Sequence, residues 1–315
     1  MNEFLTVLGA VVPVFGLAAV GLVIRKLNWL TEEADRSLLR VNINLLMPCL
    51  ILDAALGNPA LNQMGNLLLA PAFGFAMIAL GIWLATLLAP WHGLTDPAAR
   101  RTFAVSVGIN NYGYVPVPLA LLLFDKHTAG VVFVLSIGVE TALWTLGVMT
   151  LTGASARQSW RRILNAPLVA ILLALVLNGV GLSSHIPEFI HTGIKLLGQC
   201  AVPMALILIG AIVADHLHEF HSASGWRVIG AAVFLRVGLL PLLLLLAAKF
   251  LPASLELKRV IVLEAAMPAA VFPIVMARHY AGDPATAMRV VIGTTVVGLV
   301  TIPMWIRFGL HFLGL

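Results

Sequence analysis

Long apolar stretches alternate along the chain with short polar connections. Ten of them reach the roughly 20 residues needed to cross a bilayer: residues 4–24, 35–56, 65–89, 98–124, 128–152, 163–182, 190–214, 227–249, 257–280 and 287–312. The pattern predicts an all-α integral membrane protein of ten transmembrane helices. The connections leave no room for a soluble domain. The first stretch follows Met1-Asn2-Glu3, without the cations of a secretory leader, and its own cations, Arg25 and Lys26, come after it. It reads as a retained span.

Two stretches are interrupted near the middle. The fourth contains NNYGYVPVP at residues 110–118, and the ninth EAAMPAAVFP at residues 264–273. Backbone that leaves a helix at membrane depth has to be buried in protein or to line a cavity, because lipid offers its N–H and C=O groups no partners. Broken spans at matching places in two halves of a chain point to a transport site. The matching is numerical. Pro48 and Pro203 stand 155 residues apart, as do Pro118 and Pro273, and the same offset places Asn44 on Gln199 and Glu140 on Thr295. It also maps the first five spans onto the last five. An odd number of spans per half forces the halves into opposite orientations. Residues 1–152 and 153–315 therefore read as two inverted five-helix repeats forming one transporter domain, in which helices 4 and 9 run antiparallel and cross at their breaks.

The chemistry expected at such a crossing follows from the residue types. Proline is tolerated in the first turn of a helix, so Pro116 or Pro118 opens a second half-helix in span four, and Pro273 one in span nine. Each half-helix start carries unpaired N–H groups and about half a positive charge, which suits an anion. Asn110 and Asn111 add amide groups, and Gly108 and Gly113 permit backbone conformations closed to other residues. The expected substrate contacts are Asn110, Asn111, Gly113, Pro116, Pro118, Pro268, Phe272 and Pro273. Ionisable residues inside spans are costly and so are functional candidates: Glu264, Glu140, Arg236 and, near a span end, Asp53. Glu264, one helical turn before Pro268, heads the candidates for a coupling ion, followed by Glu140, Thr294, Thr295, Asn44 and Gln199. Arg236 is read either as a snorkelling or ion-paired arginine or as a contact to an anionic substrate.

Composition narrows the classes. Sixty per cent of the residues are hydrophobic and 10% charged, against about 25% charged in soluble domains, and the mean hydropathy is +1.00. The net charge of +5 is no nucleic-acid signal, since the cations sit at span ends. Arg25, Lys26, Arg36, Arg40, Arg100, Arg101, Arg157, Arg161, Arg162, Arg227, Arg278 and Arg289 fall on one side. Only half as many, Lys126, Lys195, Lys249, Lys258, Arg259 and Arg307, fall on the other. The bias places both termini outside the cytoplasm. Residues 157–162 read as a juxtamembrane anchor to anionic lipid. Cys49 and Cys200 read as packing residues. The loop HLHEFH at residues 216–221 lacks the spacing of a helix-borne HExxH metal pair, so no metal is expected. No nucleotide motif and no catalytic set is present, so an ATP-driven pump and a membrane enzyme are disfavoured.

These residues carry a resemblance. PVFGLAAVGLVIRKLNWL from Pro13, NINLLMPCLIL at 42–52, NNYGYVPVPLALLLF from Asn110, EAAMPAAVFPIVMARHYAGDP at 264–284 and GTTVVGLVTIP at 293–303 are similar to the auxin efflux carrier family, and to its bacterial malonate or malate permease type in particular. The resemblance covers nearly the whole chain. It implies a fold like that of the sodium/proton antiporters and bile-acid symporters, with a scaffold part and a moving part, and transport of organic anions whose carboxylate sits near the crossing. Only residues 153–162 join the halves, so the chain lacks the long central loop of plant exporters, which argues for the bacterial permease type rather than for auxin as substrate. The expectation is a secondary transporter of a small organic carboxylate in a bacterial inner membrane. It would work by alternating access, with no cofactor beyond a coupling proton or sodium ion, with membrane lipid as its surroundings and with a homodimer left open. The alternatives are a cation/proton antiporter on the same fold, which would want an acidic pair at the crossing, and a non-transporting membrane receptor.

Overall fold

Helix starts follow from local sequence. Thr31, Asp96, Asp125, Asn165, Ser254 and Asp283 each lie at the end of a polar connection, and each accepts a backbone N–H from the first turn that follows it. These caps satisfy donors that a helix leaves orphaned. The structure, a computed structural model, describes residues 2–88, 93–153, 164–216 and 225–315. Residues 157–162 and residues 217–221 of the histidine-bearing loop lie outside the described residues.

The helices, in chain order, are α1 (Asn2–Lys26), α2 (Glu32–Ala55), α3 (Met64–Leu88), α4 (Pro97–Gly108), α5 (Pro116–Leu123), α6 (Lys126–Thr152), α7 (Ala166–Gly179), α8 (Glu188–His216), α9 (Gly225–Phe250), α10 (Leu255–Ala266), α11 (Phe272–His279) and α12 (Pro284–Leu313). Among the described residues the one element of β type is an isolated bridge. Seven helices, α1, α2, α3, α6, α8, α9 and α12, are long and apolar enough to cross a membrane, and α7 is a shorter apolar helix. Large apolar side chains face outward along them. Examples are Val12, Val20 and Val23 on α1, Leu172, Leu173 and Val176 on α7, and Val296, Val300 and Met304 on α12. An exterior of this kind is stable against hydrocarbon and marks a multi-pass membrane protein.

Packing is densest within two groups, which meet where α1 packs on α5 and α12 and where α2 packs on α6. In one, α8 packs on α1 and α2, and α2 on α7. In the other, α3 packs on α4 and α6, α12 on α4, α9, α10 and α11, and α10 on α6 and α9. Glycines set the closest approaches within each group, as small residues do where helices associate in lipid. A Cβ on Gly21 would overlap the Ile207 carbonyl, and one on Gly210 the Ala18 carbonyl, so α1 and α8 touch backbone to backbone. Gly74 and Gly138 do the same for α3 and α6, against Leu135 and Pro71. The first group is also tied by charge: Arg25 of α1 pairs with Asp35 of α2 and, at 3.2 Å, with Asp215 of α8.

Three helices, α2, α6 and α9, each contain one π turn, at Asn42–Leu46, Leu143–Gly147 and Leu235–Leu239. Such turns rotate the side chains that follow them and are frequent at functional sites. All three border the site described below, through Ile43, Trp144 and Arg236.

Because the backbones touch at Gly138, Gly138→Leu should force apart α3 and α6 and lower stability by about 1–3 kcal/mol or more, the range of overpacking. Gly65→Ala, on the same α3 but with open space around its Cα, leaves stability unchanged, and thermal unfolding of the two purified variants checks the contrast. A second prediction concerns Asp125, which caps α6 at 2.7 Å and pairs with Arg259 at 3.2 Å. Burial pushes its carboxyl upward, but the hydrogen bonds to Thr128 and the Arg259 charge outweigh burial and hold it below its ordinary value. Its contribution is therefore full above the unfolded-state value of about 3.9 and is lost as pH falls through the depressed folded-state value. Asp125→Asn should accordingly be less stable than the natural chain at neutral pH, and the gap in melting temperature should close on acidification.

Candidate functional site

The site is built on two broken helices. α4 ends at Gly108, where Ile109 turns to extended backbone, and α5 restarts with Pro116 as its first residue. α10 ends at Ala266, and α11 restarts at Phe272 with Pro273 second. Both prolines occupy the first turn, where a missing N–H costs nothing. The interruptions leave a stretch of backbone without helical partners, and the two stretches supply one another. Asn110 and Ala269 form an antiparallel bridge. Asn111 N–H donates to the Pro268 carbonyl and Ala270 N–H to the Ile109 carbonyl, both at 2.9 Å.

Side chains complete the pairing. Thr294 of α12 accepts the Ala269 N–H at 3.1 Å and donates its hydroxyl to the Val290 carbonyl at 2.8 Å. Asn111 Oδ1 accepts the Val115 N–H at 3.3 Å. Arg236, in the π turn of α9 and 1% exposed, donates Nε to the Met267 carbonyl at 3.1 Å and Nη2 to the Glu264 backbone carbonyl at 3.5 Å. A cation at a helix C-terminus is favourable, and here it closes α10. Arg236 is thus neither snorkelling nor turned to the cavity; it caps the first half-helix. Glu264, fully buried, accepts a bond from Asn110 Nδ2 at 2.5 Å, which joins the two breaks a second time.

Beside the crossing lies a cavity of about 280 Å³ between the two helix groups. Asn111, Tyr112, Gly113 and Tyr114 of the first break line it, with Ala270, Val271 and Phe272 of the second, Glu140 and Trp144 of α6, Asn165 before α7, and apolar side chains of α2, α7 and α8. No lysine or arginine belongs to this lining among the described residues. Its charge-bearing group is Glu140, wrapped by donors: Tyr112 hydroxyl to Oε1 at 2.6 Å, Trp144 Nε1 to Oε2 at 2.9 Å and Asn165 Nδ2 to Oε2 at 3.3 Å. Trp144 also meets Phe272 edge to face, centroids 5.5 Å apart.

The residues singled out from sequence are distributed as follows. Asn111, Gly113, Phe272 and Glu140 line the cavity. Asn110, Pro268 and Glu264 form the crossing, and Pro116, Pro118 and Pro273 are buried in the first turns of α5 and α11. Thr294 tethers the second break, while Thr295 is half-buried outside the lining. Asn44 is exposed and bonded to the Arg40 carbonyl, and Gln199 is exposed. Neither joins the crossing or the cavity. Gly113 does not take a left-handed conformation, and its lack of a side chain widens the cavity instead. Gly108 serves close approach, since a Cβ there would press on the Ile82 backbone. Tyr112, Trp144 and Asn165 were not singled out. Trp144 had a legible signal, four residues after Glu140 and hence on the same helix face; Asn165 had none.

Thr294→Val removes the acceptor of a buried N–H at the second break and is expected to cost about 1–3 kcal/mol, with Thr294→Ser close to the natural chain. Thermal unfolding in detergent checks the order.

The comparisons with known proteins agree with this architecture. The family described as "Membrane transport protein" matches in two stretches, residues 6–159 and 151–306. A protein of Methanothermobacter thermautotrophicus described as "Uncharacterized transporter" is 27% identical over 303 residues, which is 94% of this chain and 96% of that protein. With its sequence matched over nearly its whole length and its helices suited to a bilayer, the chain belongs to the membrane transport protein family.

Proposed function

We propose that the protein is a secondary transporter of a small organic carboxylate, working by alternating access, with ten spans in two inverted five-helix repeats. In this reading α4 with α5 forms the fourth span and α10 with α11 the ninth. The observation that carries it is the pairing of the two broken segments beside a cavity that both helix groups line. Broken helices crossing at such a cavity are how secondary carriers build a midplane site. The group of α1, α2, α7 and α8 is then the scaffold and the other the moving part.

The choice of an anion rests on the positive ends of α5 and α11. Gly113, Tyr114, Val271 and Phe272, at their starts, line the cavity, and two half-helix dipoles supply the countercharge that no basic side chain provides. The Asn111 side chain adds a polar contact. Tyr112, Trp144 and Asn165 engage the Glu140 carboxylate, which keeps that negative group bonded to neutral donors rather than facing the substrate bare. The apolar remainder of the cavity suits a compact carbon skeleton such as malonate, malate or an auxin-like acid. Glu264, buried where the breaks meet, is the candidate for ion coupling. A single acid there, bonded to an amide, does not make the acidic pair that the cation/proton antiporter alternative would want. The surroundings proposed are the bacterial inner membrane, with both termini outside the cytoplasm.

Liposomes containing the purified protein, offered radiolabelled malonate, malate, succinate and indole-acetate with and without pH and sodium gradients, test the proposal. Saturable flux of one acid is expected. Asn111→Ala should abolish that flux while leaving folded protein, and Glu264→Gln should remove its dependence on the gradients. Proton–cation exchange without acid flux would replace the proposal with an antiporter, and binding without flux with a receptor.

A further inference from the structure

Glu264 and Asn110 face one another across the crossing, and their contact is half made. Asn110 Nδ2 donates to Glu264 Oε2, while Glu264 Oε1 and Asn110 Oδ1 are both buried without a hydrogen-bond partner. Buried polar atoms are nearly always paired, and exceptions call for an explanation. Two acceptors cannot satisfy each other. A proton on Oε1 turns that oxygen into a donor, and a carboxylic acid then complements a primary amide atom for atom. Asn110 Nδ2 gives to Oε2, Oε1 gives to Oδ1, and both orphans disappear together.

The surroundings do not offer another donor in its place. Arg236, on α9, directs Nε and Nη2 to backbone carbonyls; its charge acts on the Glu264 carboxyl and competes with the proton, yet it gives Oε1 no hydrogen bond. Tyr112, from the first break, gives its hydroxyl to Glu140 of α6. Thr294, from α12, gives its hydroxyl to the Val290 carbonyl. A metal cation is a poorer occupant than a proton. Hard cations exchange their water for roughly six or more oxygens, and the pair offers two, with Thr294 Oγ1 already engaged by the Ala269 N–H.

We infer that Glu264 and Asn110 form a proton-binding site at the crossing, closed as an acid–amide pair when Glu264 carries its proton, and that this proton is the coupling ion. The second clause rests on the transporter reading; the first does not. Loss of the proton leaves two unpaired acceptors and a buried negative charge held by one amide bond and the nearby Arg236 charge, so one of the two bonds of the pair is lost and the link between the breaks weakens. One O–H bond is made and broken per cycle, the proton being taken from one aqueous face and given up to the other.

Infrared difference spectroscopy on the full chain in liposomes, from neutral to alkaline pH, tests the site without a substrate. The expected result is the carbonyl band of a protonated, hydrogen-bonded carboxylic acid at neutral pH. Glu264→Gln removes it, Glu140→Gln keeps it, and Asn110→Leu shifts it toward weaker hydrogen bonding. The Asn110 variant tests the pair even where Glu264→Gln does not fold. Sodium chloride leaves the band in place. A spectrum with no band attributable to Glu264, or unmoved by Asn110→Leu, overturns the site, as does a band that sodium erases. With a pH dye trapped inside, malonate, malate, succinate and indole-acetate are offered in turn, and proton flux is expected to accompany the flux of whichever acid is carried. Acid flux without proton flux overturns the coupling role. The band without flux of any of the four acids leaves the proton site standing and removes the carboxylate reading instead.

Discussion

Backbone polar groups that leave a helix inside an apolar protein must find partners at once, and in this molecule two such segments find them in each other. The short antiparallel contact of residues 109–111 with 268–270 is the arrangement on which the site depends. It explains why Thr294 stands where it does, why a fully buried arginine is tolerated on α9, and why an asparagine and a glutamate from opposite halves of the chain meet. Each of these side chains closes a bond that the interrupted helices leave open. None of them is free to vary independently, because removing one exposes a donor or acceptor with nowhere else to turn.

The cavity is a product of the same arrangement. Breaking α4 from α5 and α10 from α11 leaves Asn111, Gly113 and Phe272 at the edge of a gap that continuous helices would have filled. The gap then reaches the neighbouring helix group, where α2, α7 and α8 supply apolar walls. Glu140 is held in it by Tyr112, Trp144 and Asn165, whose donors offset part of the cost of its burial.

The sequence made some of this legible and withheld the rest for physical reasons. Prolines in apolar stretches marked both breaks to within a few residues, since proline constrains the chain locally. Asp125 and Ser254 cap helices for the same local reason, a signal that span boundaries drawn from hydropathy at 128 and 257 did not use. The partners of the breaks were harder. Arg236 announced itself as a charge in an apolar run, yet its task is to hold the carbonyl of Met267, 31 positions away. Asn165 reaches Glu140 from beyond a connection of the chain. The offset that suggested Asn44 and Gln199 follows position along the chain, whereas their side chains point outward. Spacing reports which residues share a helix face; it is silent on which face meets which.

The glycine contacts of α1 with α8 and of α3 with α6 bear on mechanical compliance. Where two backbones touch with no side chain between them, sliding one past the other by a fraction of a turn drives a carbonyl into a Cα. Each helix group is therefore stiff in shear along those contacts. The boundary beside the cavity is built of longer, rotatable side chains such as Ile43, Met47 and Leu168, which can exchange neighbours at little cost. Away from the cavity the same boundary is pinned, since a Cβ on Gly130 of α6 would press on the Ala54 carbonyl of α2, so the compliance is confined to the stretch beside the cavity.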